Sequence, residues 1–134
     1  MNDPRLAKLG VLVVDDSPVV RAMVSRMLEQ LGFGLVAAEG DGEAALAHVT
    51  AAEPAPNLIV CDIGMKPMDG LAFVEALRAR PERHLARIPV VFLTATASPE
   101  LVRRAKELAA NGYLVKPVTP EALALRVDRA LFGG

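Results

Sequence analysis

Residues 57–70 read NLIVCDIGMKPMDG, in which a short apolar run ends at the acid Asp62 and turn-forming residues follow. An apolar run of strand length without alternation is typical of a parallel strand that is buried on both faces. A carboxylate at the end of such a strand is either a helix-capping residue or part of a site. The neighbouring segments of the chain decide between these two interpretations.

Apolar runs of strand length alternate with amphipathic stretches of helix length, which is the pattern of parallel strands joined by crossover helices. The predicted strands are LGVLVVDD at 9–16, FGLVAAE at 33–39, NLIVCD at 57–62, IPVVFLTA at 88–95 and GYLVK at 112–116. A predicted helix follows each strand, so we expect a doubly wound α/β fold with a five-stranded parallel sheet and five helices. The second strand is short and contains Gly34, which predicts an edge position. These patterns alone leave the strand order open.

Capping residues mark several helix boundaries. Ser or Thr followed by Pro predicts helix starts at Ser17, Ser98 and Thr119, and Gly32 predicts the end of the first helix. Apolar residues at helical spacing predict the first helix, namely Val20, Met23, Val24, Met27 and Leu31.

The composition favours one soluble domain over residues 1–134. Of the 134 residues 52% are hydrophobic, and the net charge of −1 comes without a basic cluster, which argues against direct binding to nucleic acid. No apolar run is long enough for a membrane span or a secretory signal, and the lone Cys61 cannot form an internal disulfide. We therefore expect a cytoplasmic protein in which Cys61 is a buried strand residue.

Polar residues lie at the carboxyl ends of four of the predicted strands. They are Asp15 and Asp16 in the first strand, Asp62 in the third, Thr94 in the fourth and Lys116 in the fifth. In doubly wound sheets the ligand site lies beyond the carboxyl ends of the strands, at the point where the winding reverses. We therefore expect these side chains to share one edge of the sheet.

The chemistry of this set points to a metal and a phosphoryl group. Carboxylates about 4 Å apart repel by about 4 kcal/mol per pair at an effective dielectric constant near 20, and a hard cation such as Mg²⁺ removes that conflict. Lys116 and Thr94 would supply a positive charge and a hydroxyl donor to a phosphoryl group. Asp62 would then be the acceptor and form an acyl phosphate.

These residues and their order resemble the receiver domains of bacterial response regulators, the CheY-like group. The matching segments are VLVVDDSP, CDIGMKPMDG, VVFLTATA and NGYLVKP, which together span nearly the whole chain. The resemblance implies a flavodoxin-like sheet of order 2-1-3-4-5 and Mg²⁺-dependent phosphotransfer from a sensor histidine kinase or a phosphotransfer protein. It also implies a single-domain, phosphorylation-controlled binding module in a two-component system, which is not an enzyme beyond its own phosphorylation and slow self-dephosphorylation.

The resemblance assigns roles position by position. Asp15 and Asp16 match the metal-binding acids, Asp62 the phosphoacceptor, and Gly64 the residue whose backbone carbonyl completes the metal ligands. Thr94 matches the switch hydroxyl, Tyr113 the switch aromatic, and Lys116 the lysine that pairs with the phosphoryl group. Lys116 is followed by Pro117, and this peptide bond is cis in the family.

A mechanism of output also follows from the resemblance. Phosphorylation would draw Thr94 inward and let Tyr113 turn from an exposed to a buried position. The face made by the fourth helix, the fifth strand and the fifth helix would then change its affinity for a downstream protein target. The chain would act as a monomer or as a phosphorylation-dependent dimer.

The sequence departs from the family pattern after the acceptor. Lys66 stands where the family usually has proline, and the proline is displaced to Pro67. Lys66 either approaches the phosphoryl group or is an ordinary solvated loop residue. Gly64 and Thr96 occupy positions that influence dephosphorylation in the family, and neither is an acid or amide that could readily orient water, so we expect slow to moderate self-dephosphorylation.

Three other functions remain to be weighed. A Mg²⁺-dependent phosphatase of the haloacid-dehalogenase type would need a second acid two residues after the nucleophile, where this chain has Gly64. A flavodoxin-like cofactor binder would need a phosphate-binding loop after the first strand, where this chain has DDSPVV. A receiver fold that binds partners without phosphorylation would not need the acids and Lys116. Because the chain ends at LFGG soon after the fifth helix, we expect no effector domain to follow.

Overall fold

A computed structural model of the chain describes residues 2–133. The five strands are β1 (Gly10–Val14), β2 (Leu35–Glu39), β3 (Leu58–Asp62), β4 (Val90–Thr94) and β5 (Tyr113–Val115). The helices are α1 (Pro18–Leu31), α2 (Gly42–Ala51), α3 (Gly70–Arg78), α4 (Arg83–Ala86), α5 (Pro99–Glu107) and α6 (Pro120–Leu131). Strands and helices alternate as predicted, and the fourth and fifth helices of the sequence prediction are α5 and α6.

The structure contains a short helix in addition to the five predicted ones. Within residues 2–133, the four-residue helix α4 lies between α3 and β4, and a 3-10 turn at Pro4–Leu6 precedes β1. The segment PERHLARIP at 81–89 has no apolar period long enough to predict α4. Leu85 is buried against the core, and this contact holds the short helix in place.

The sheet is entirely parallel and has the strand order β2-β1-β3-β4-β5, which confirms the order that the resemblance implies. β2 lies at one edge of the sheet, as predicted. β3 lies in the middle and is buried at every residue, as its unbroken apolar run predicts. Val14 lies opposite Cys61, and Asp62 lies opposite Leu93, so the carboxyl ends of β1, β3 and β4 meet at one edge.

Two apolar cores form, one on each face of the sheet. The first core contains residues of α2, α3 and α5, including Ala45, Phe73 and Ala105. The second core contains residues of α1 and α6, such as Leu28 and Leu123. Because successive strand residues point to opposite faces, each central strand contributes to both cores. Among the described residues, no helix combines the length and the apolar character that a bilayer span requires.

The predicted helix caps are confirmed. The backbone N–H of Val20 donates to the Ser17 hydroxyl at 3.3 Å, and Gly32 ends α1 in the left-handed region at φ 119°. Ser98 and Thr119 cap α5 and α6 in the same way as Ser17 caps α1. These caps fix where each helix leaves the sheet edge that carries the polar residues.

The helix that the spacing of apolar residues predicts is confirmed as α1, and its residues are buried to different extents. Val24 and Leu28 are fully buried. Met23 is 47% exposed, because it lies about 100° around the helix from Val24 and so at the margin of the buried face. The other three residues at that spacing are partly buried, namely Val20, Met27 and Leu31.

Candidate functional site: an acidic cluster at the sheet edge

The carboxyl ends of β1 and β3 place two carboxylates side by side at one edge of the sheet. Asp62 is the last residue of β3 and is 6% exposed, and Asp15 directly follows β1 and is fully buried. Asp16 follows Asp15 and is exposed. Since β1 and β3 are paired neighbours, their ends bring these acids together. The three carboxylates therefore form one cluster that opens to solvent on the side of Asp16.

The acidic cluster has the donor set of a divalent metal site. One carboxylate oxygen from each of Asp15, Asp16 and Asp62 lies within 4.8 Å of the others. Asp15 Oδ1 accepts a hydrogen bond from the backbone N–H of Ser17 at 2.9 Å, whereas the buried Oδ2 accepts none. A buried carboxylate oxygen without a hydrogen-bond donor is costly unless a cation lies beside it. The Lys116 ammonium, 3.2 Å away, is one such cation, and a metal ion bound by the three acids would be a second. These residues fit Mg²⁺, which prefers oxygen ligands and keeps several waters.

Lys116 supplies the cation of the cluster from the loop after β5. Its Nζ lies 3.0 Å from Asp62 Oδ1 and 3.2 Å from Asp15 Oδ2. Partial burial alone would lower the pKa of Lys116, but the hydrogen bond to Asp62 and the charge of Asp15 outweigh it, so this pKa is raised. The ammonium is therefore held charged beside the two buried acids.

Thr94 lies at the same edge, but its hydroxyl is directed to its own loop. Thr94 ends β4 and is buried, and its Oγ1 donates to the carbonyl of Thr96 at 2.8 Å. The backbone N–H of Thr96 lies 3.3 Å from the same oxygen and donates to it. The structure thus brings Thr94 to the predicted edge and engages its hydroxyl away from the carboxylates.

Tyr113 begins β5 and is half-buried against the first core, opposite Phe92 of β4. The resemblance implies an exposed position before phosphorylation, whereas this side chain already packs partly against the core.

The loop after Asp62 combines one buried residue with exposed ones. Met65 is 2% exposed and belongs to the first core, while Gly64 and Lys66 on either side of it are exposed. Within residues 2–133 Lys66 makes no ion pair, and the side chain of Thr96 is exposed. The Lys66–Pro67 and Lys116–Pro117 peptide bonds are both cis, the second as the resemblance implies.

Two contacts of the site were missed by the sequence prediction. Arg21 Nη1 donates to the backbone carbonyl of Asp15 at 2.8 Å, which ties the first turn of α1 to the acidic loop. Gly70 packs so closely under β3 that a Cβ at this position would overlap the backbone carbonyl of Asp62. Asp69 precedes this glycine and caps α3, so the sequence holds a local signal for the helix start but none for the contact.

Cys61 is a structural residue, as predicted. Its side chain is fully buried, and burial, assisted by the negative charge of Asp62, raises the pKa of its thiol well above the ordinary value. The thiol donates to the backbone carbonyl of Asp62 at 3.2 Å. A neutral, buried thiol of this kind is a poor nucleophile.

Comparison with known proteins agrees with this geometry. A family model described as "Response regulator receiver domain" matches residues 11–128. The chain is 38% identical over 126 residues to a protein of Rhizobium etli named "Probable chemotaxis protein CheY", with 94% of each chain covered. It is 39% identical over 127 residues to the "Gliding motility regulatory protein" of Myxococcus xanthus, in which the match spans 94% of this chain and 16% of that protein.

Solved structures show the same fold. The chemotaxis protein CheY4 of Vibrio cholerae superposes with a TM-score of 0.84 at 38% identity, covering 93% of this chain and all of that one. The signal receiver domain of a signal transduction histidine kinase from Syntrophus aciditrophicus superposes with a TM-score of 0.80 at 32% identity, covering 93% of this chain and 91% of that one.

Proposed function

The chain belongs to the response regulator receiver domain family, and from that premise we propose that it is the receiver of a two-component phosphorelay. Asp62 accepts a phosphoryl group from a sensor histidine kinase or a phosphotransfer protein. The phosphorylated form then binds a downstream protein target. CheY-like relatives are signalling modules, and this chain accordingly acts as a phosphorylation-controlled binding module.

One observation carries the proposal. The Asp62 carboxylate lies at the end of the central strand, 3.0 Å from the Lys116 ammonium and within 4.8 Å of two further acids. A merely structural acid would not be placed beside two like charges, because their repulsion destabilises the fold. The arrangement instead suits a carboxylate that receives a highly charged group with the help of cations.

Transfer follows from the positions of these groups. An oxygen of Asp62 forms a bond to phosphorus while the bond from phosphorus to the imidazole nitrogen of the donor breaks. The nitrogen keeps the electron pair and takes up a proton, and the product is an acyl phosphate on Asp62. Lys116 neutralises charge on the transferred oxygens. Asp15, Asp16 and Asp62, with the backbone carbonyl of Gly64, would hold Mg²⁺, which when bound offsets the negative charge of carboxylates and phosphoryl group together.

The switch would begin at Thr94. To contact a phosphoryl group on Asp62, the Thr94 hydroxyl must leave the carbonyl of Thr96, to which it now donates. Release of that bond changes the loop that leads into α5, and Tyr113 then packs deeper against the first core. The face formed by α5, β5 and α6 changes its partner affinity by a shift between two populations.

The lifetime of the acyl phosphate is set by residues around the loop. Neither Gly64 nor Thr96 can act as a base toward water, so self-dephosphorylation should be slow to moderate, and a lifetime of seconds would contradict this. Lys66 modulates the lifetime only if it reaches the phosphoryl group. Measuring the phosphorylated half-life of Lys66→Ala decides this, because an unchanged value removes Lys66 from the mechanism.

We further propose that residues 1–134 form a single receiver domain, active as a monomer or as a phosphorylation-dependent dimer. Relatives named for chemotaxis and gliding motility make a motility component the first target to test.

Intact mass spectrometry after incubation with Mg²⁺ and acetyl phosphate tests the acceptor. The wild type should gain one phosphoryl group, and Asp62→Asn should gain none. Asp69→Asn is the matched control, because it removes an acid from the same loop while asparagine still caps α3. The adduct should require Mg²⁺ and be cleaved by hydroxylamine, as an acyl phosphate is.

An adduct that persists in Asp62→Asn, or that resists hydroxylamine, would refute the assignment. If the folded wild type gains no adduct from acetyl phosphate, incubation with a phosphorylated histidine kinase must give one. Failure with that donor as well would favour a receiver fold that binds its partners without phosphorylation.

A further inference from the structure

Arg78, at the end of α3, has an unusual set of partners. Its Nε donates to the carbonyl of Leu108 at 2.9 Å, and its Nη1 donates to the carbonyls of Ala86 and Ile88 at 2.9 and 2.7 Å. Its Nη2 donates to the carbonyl of Ala109 at 3.4 Å. Among the described residues Arg78 has no carboxylate partner, and desolvation lowers the pKa of its guanidinium. A half-buried cation is thus balanced by backbone carbonyls alone.

These carbonyls belong to the carboxyl end of α5 and to the segment around α4. The last carbonyls of a helix lack partners within the helix, and a positive charge there is favourable. Arg78 supplies both a positive charge and hydrogen-bond donors to the carbonyls of Leu108 and Ala109, and Ala109 has a left-handed φ of 56°. Arg78 therefore links α3 directly to the end of α5.

Apolar packing fixes the same end of α5. Ala105 and Leu108 are buried in the first core, and Ala110 packs against it. The backbone N–H of Asn111 donates to the carbonyl of Val90 at 2.7 Å, and the Asn111 side chain accepts from the N–H of Val90 at 3.1 Å. The carboxyl end of α5 is thus attached to the core and to the start of β4.

The amino end of α5 is attached much less firmly. Leu101 is its buried residue, at 8% exposure, and it belongs to neither core. A groove of about 370 Å³ lies beside this end. Its lining includes Ile63, Leu71, Thr94, Thr96, Ser98 and Leu101. Further along, the exposed pair between Arg104 and Glu75 is 3.4 Å long, and such pairs contribute little.

We propose that Arg78 is the positioning residue of the switch, the fixed point about which α5 swings when Asp62 is phosphorylated. The inference rests on the proposed function. Because the groove borders Thr94, movement of that residue reaches the loose amino end of α5 first. Because Arg78 holds the other end, the displacement becomes a rotation of the helix, which changes the exposed face of α5 in a defined way.

Hydrogen exchange of the α5 amides, followed by mass spectrometry, tests this in two steps. In the unphosphorylated wild type, amides at 105–111 should exchange more slowly than those at 97–102. Arg78→Met, which keeps a long apolar stem but no donors, should accelerate exchange at 105–111 by at least about tenfold, because several hydrogen bonds to a charged group are lost. Arg80→Met is the matched control, since Arg80 pairs with Glu82 near the same helix end.

The second step adds acetyl phosphate and Mg²⁺, with intact mass measured on the same samples. In the wild type the phosphorylation-induced change in exchange should stay within 94–102, and in Arg78→Met it should spread to 105–111. Arg78→Lys keeps the charge with fewer donors, so its exchange at 105–111 should lie between that of the wild type and that of Arg78→Met. This variant replaces Arg78→Met in the test if the methionine variant does not fold.

The outcomes separate the two proposals. The proposed role of Arg78 is overturned if the amides along α5 are equally protected in the wild type. It is also overturned if the folded Arg78 variants keep the same difference in exchange between the two ends of α5, whether or not a phosphoryl adduct is detected. A phosphorylated wild type whose change extends over the whole of α5 overturns the rotation and leaves the acceptor assignment standing. A wild type that gains no adduct even from a phosphorylated kinase overturns the proposed function, and the phosphorylation-driven rotation with it.

Discussion

Replacement of Lys116 by methionine should destabilise the protein strongly when no divalent metal is present. Methionine keeps most of the apolar stem but removes the charge that lies 3.0 Å from Asp62 Oδ1 and 3.2 Å from Asp15 Oδ2. The side chains of these acids are 8% and 0% exposed. Two nearly buried carboxylates would then face each other without a cation.

The magnitude can be worked from the distances. At an effective dielectric constant near 20, each of the two Lys116 pairs is worth about 5 kcal/mol before desolvation is counted, and the Asp15–Asp62 repulsion is at least about 3.5 kcal/mol. Desolvation of Lys116 and water around its partly exposed side chain reduce these values. Removing one partner of a buried pair typically costs about 3–5 kcal/mol, and the lower end, about 3 kcal/mol, suits this half-open site. For 134 residues that is a fall in Tm of about 10 °C.

Thermal unfolding at neutral pH measures the effect, with each variant examined in chelator and in excess Mg²⁺. Lys66→Met is the matched control, because it removes the same charge from an exposed lysine in the neighbouring loop. The loss in Lys116→Met should shrink in Mg²⁺, since a bound cation stabilises the folded state and neutralises the same carboxylates. Equal losses in the two variants, or a loss in Lys116→Met that Mg²⁺ leaves unchanged, would refute the electrostatic reasoning.

Three further predictions concern the backbone and the lysine. Ala109→Gly should stabilise the protein by about 0.5–1 kcal/mol in denaturant unfolding. Glycine removes the steric strain of an alanine in the left-handed region, and this gain exceeds the conformational entropy that glycine adds to the unfolded chain. The control Ala110→Gly should not stabilise the protein. Gly70→Ala should lower the free energy of unfolding by about 1–3 kcal/mol and reduce phosphorylation, because the added methyl group overlaps the Asp62 carbonyl. In the control Gly64→Ala the methyl group meets open space, so this variant should unfold like the wild type. Because the pKa of Lys116 is raised on folding, its contribution is complete below the ordinary value of 10.5 and is lost as pH rises through the higher folded value. The stability difference between wild type and Lys116→Met in chelator should therefore shrink in strongly alkaline buffer, and a constant difference would contradict this.

The strand-end rule explains why much of the site was accessible from sequence. Parallel strands bring their carboxyl ends to one edge, so residues at the ends of buried apolar runs share that edge whatever the strand order, and those on neighbouring strands lie close together. Asp15 and Asp62 meet because β1 and β3 are neighbours, and the long side chain of Lys116 reaches both acids from the end of β5. The strand order itself came from the resemblance, because local patterns do not encode which strands pair.

The remaining features depend on contacts that have no local signature. Arg78 meets carbonyls 8 to 31 residues away, and an arginine at the end of an amphipathic helix reads as a solvated residue. The direction of the Thr94 hydroxyl depends on the fold of its loop, which apolar spacing does not report. Helical spacing predicts that α1 forms but does not give the margins of its buried face, where the exposed Met23 lies.

The central position of β3 separates chemistry from recognition. Asp62 lies on the middle strand, and its partners follow strands or precede helices at one edge, so the outer surfaces of α1, α5 and α6 take no part in building the acidic cluster. Surface residues on those helices can therefore diverge without altering the acidic cluster. Under the proposed function, many such chains could share one reaction in a cell while their helix surfaces alone keep the pathways apart, and exchanging those surfaces would redirect a pathway.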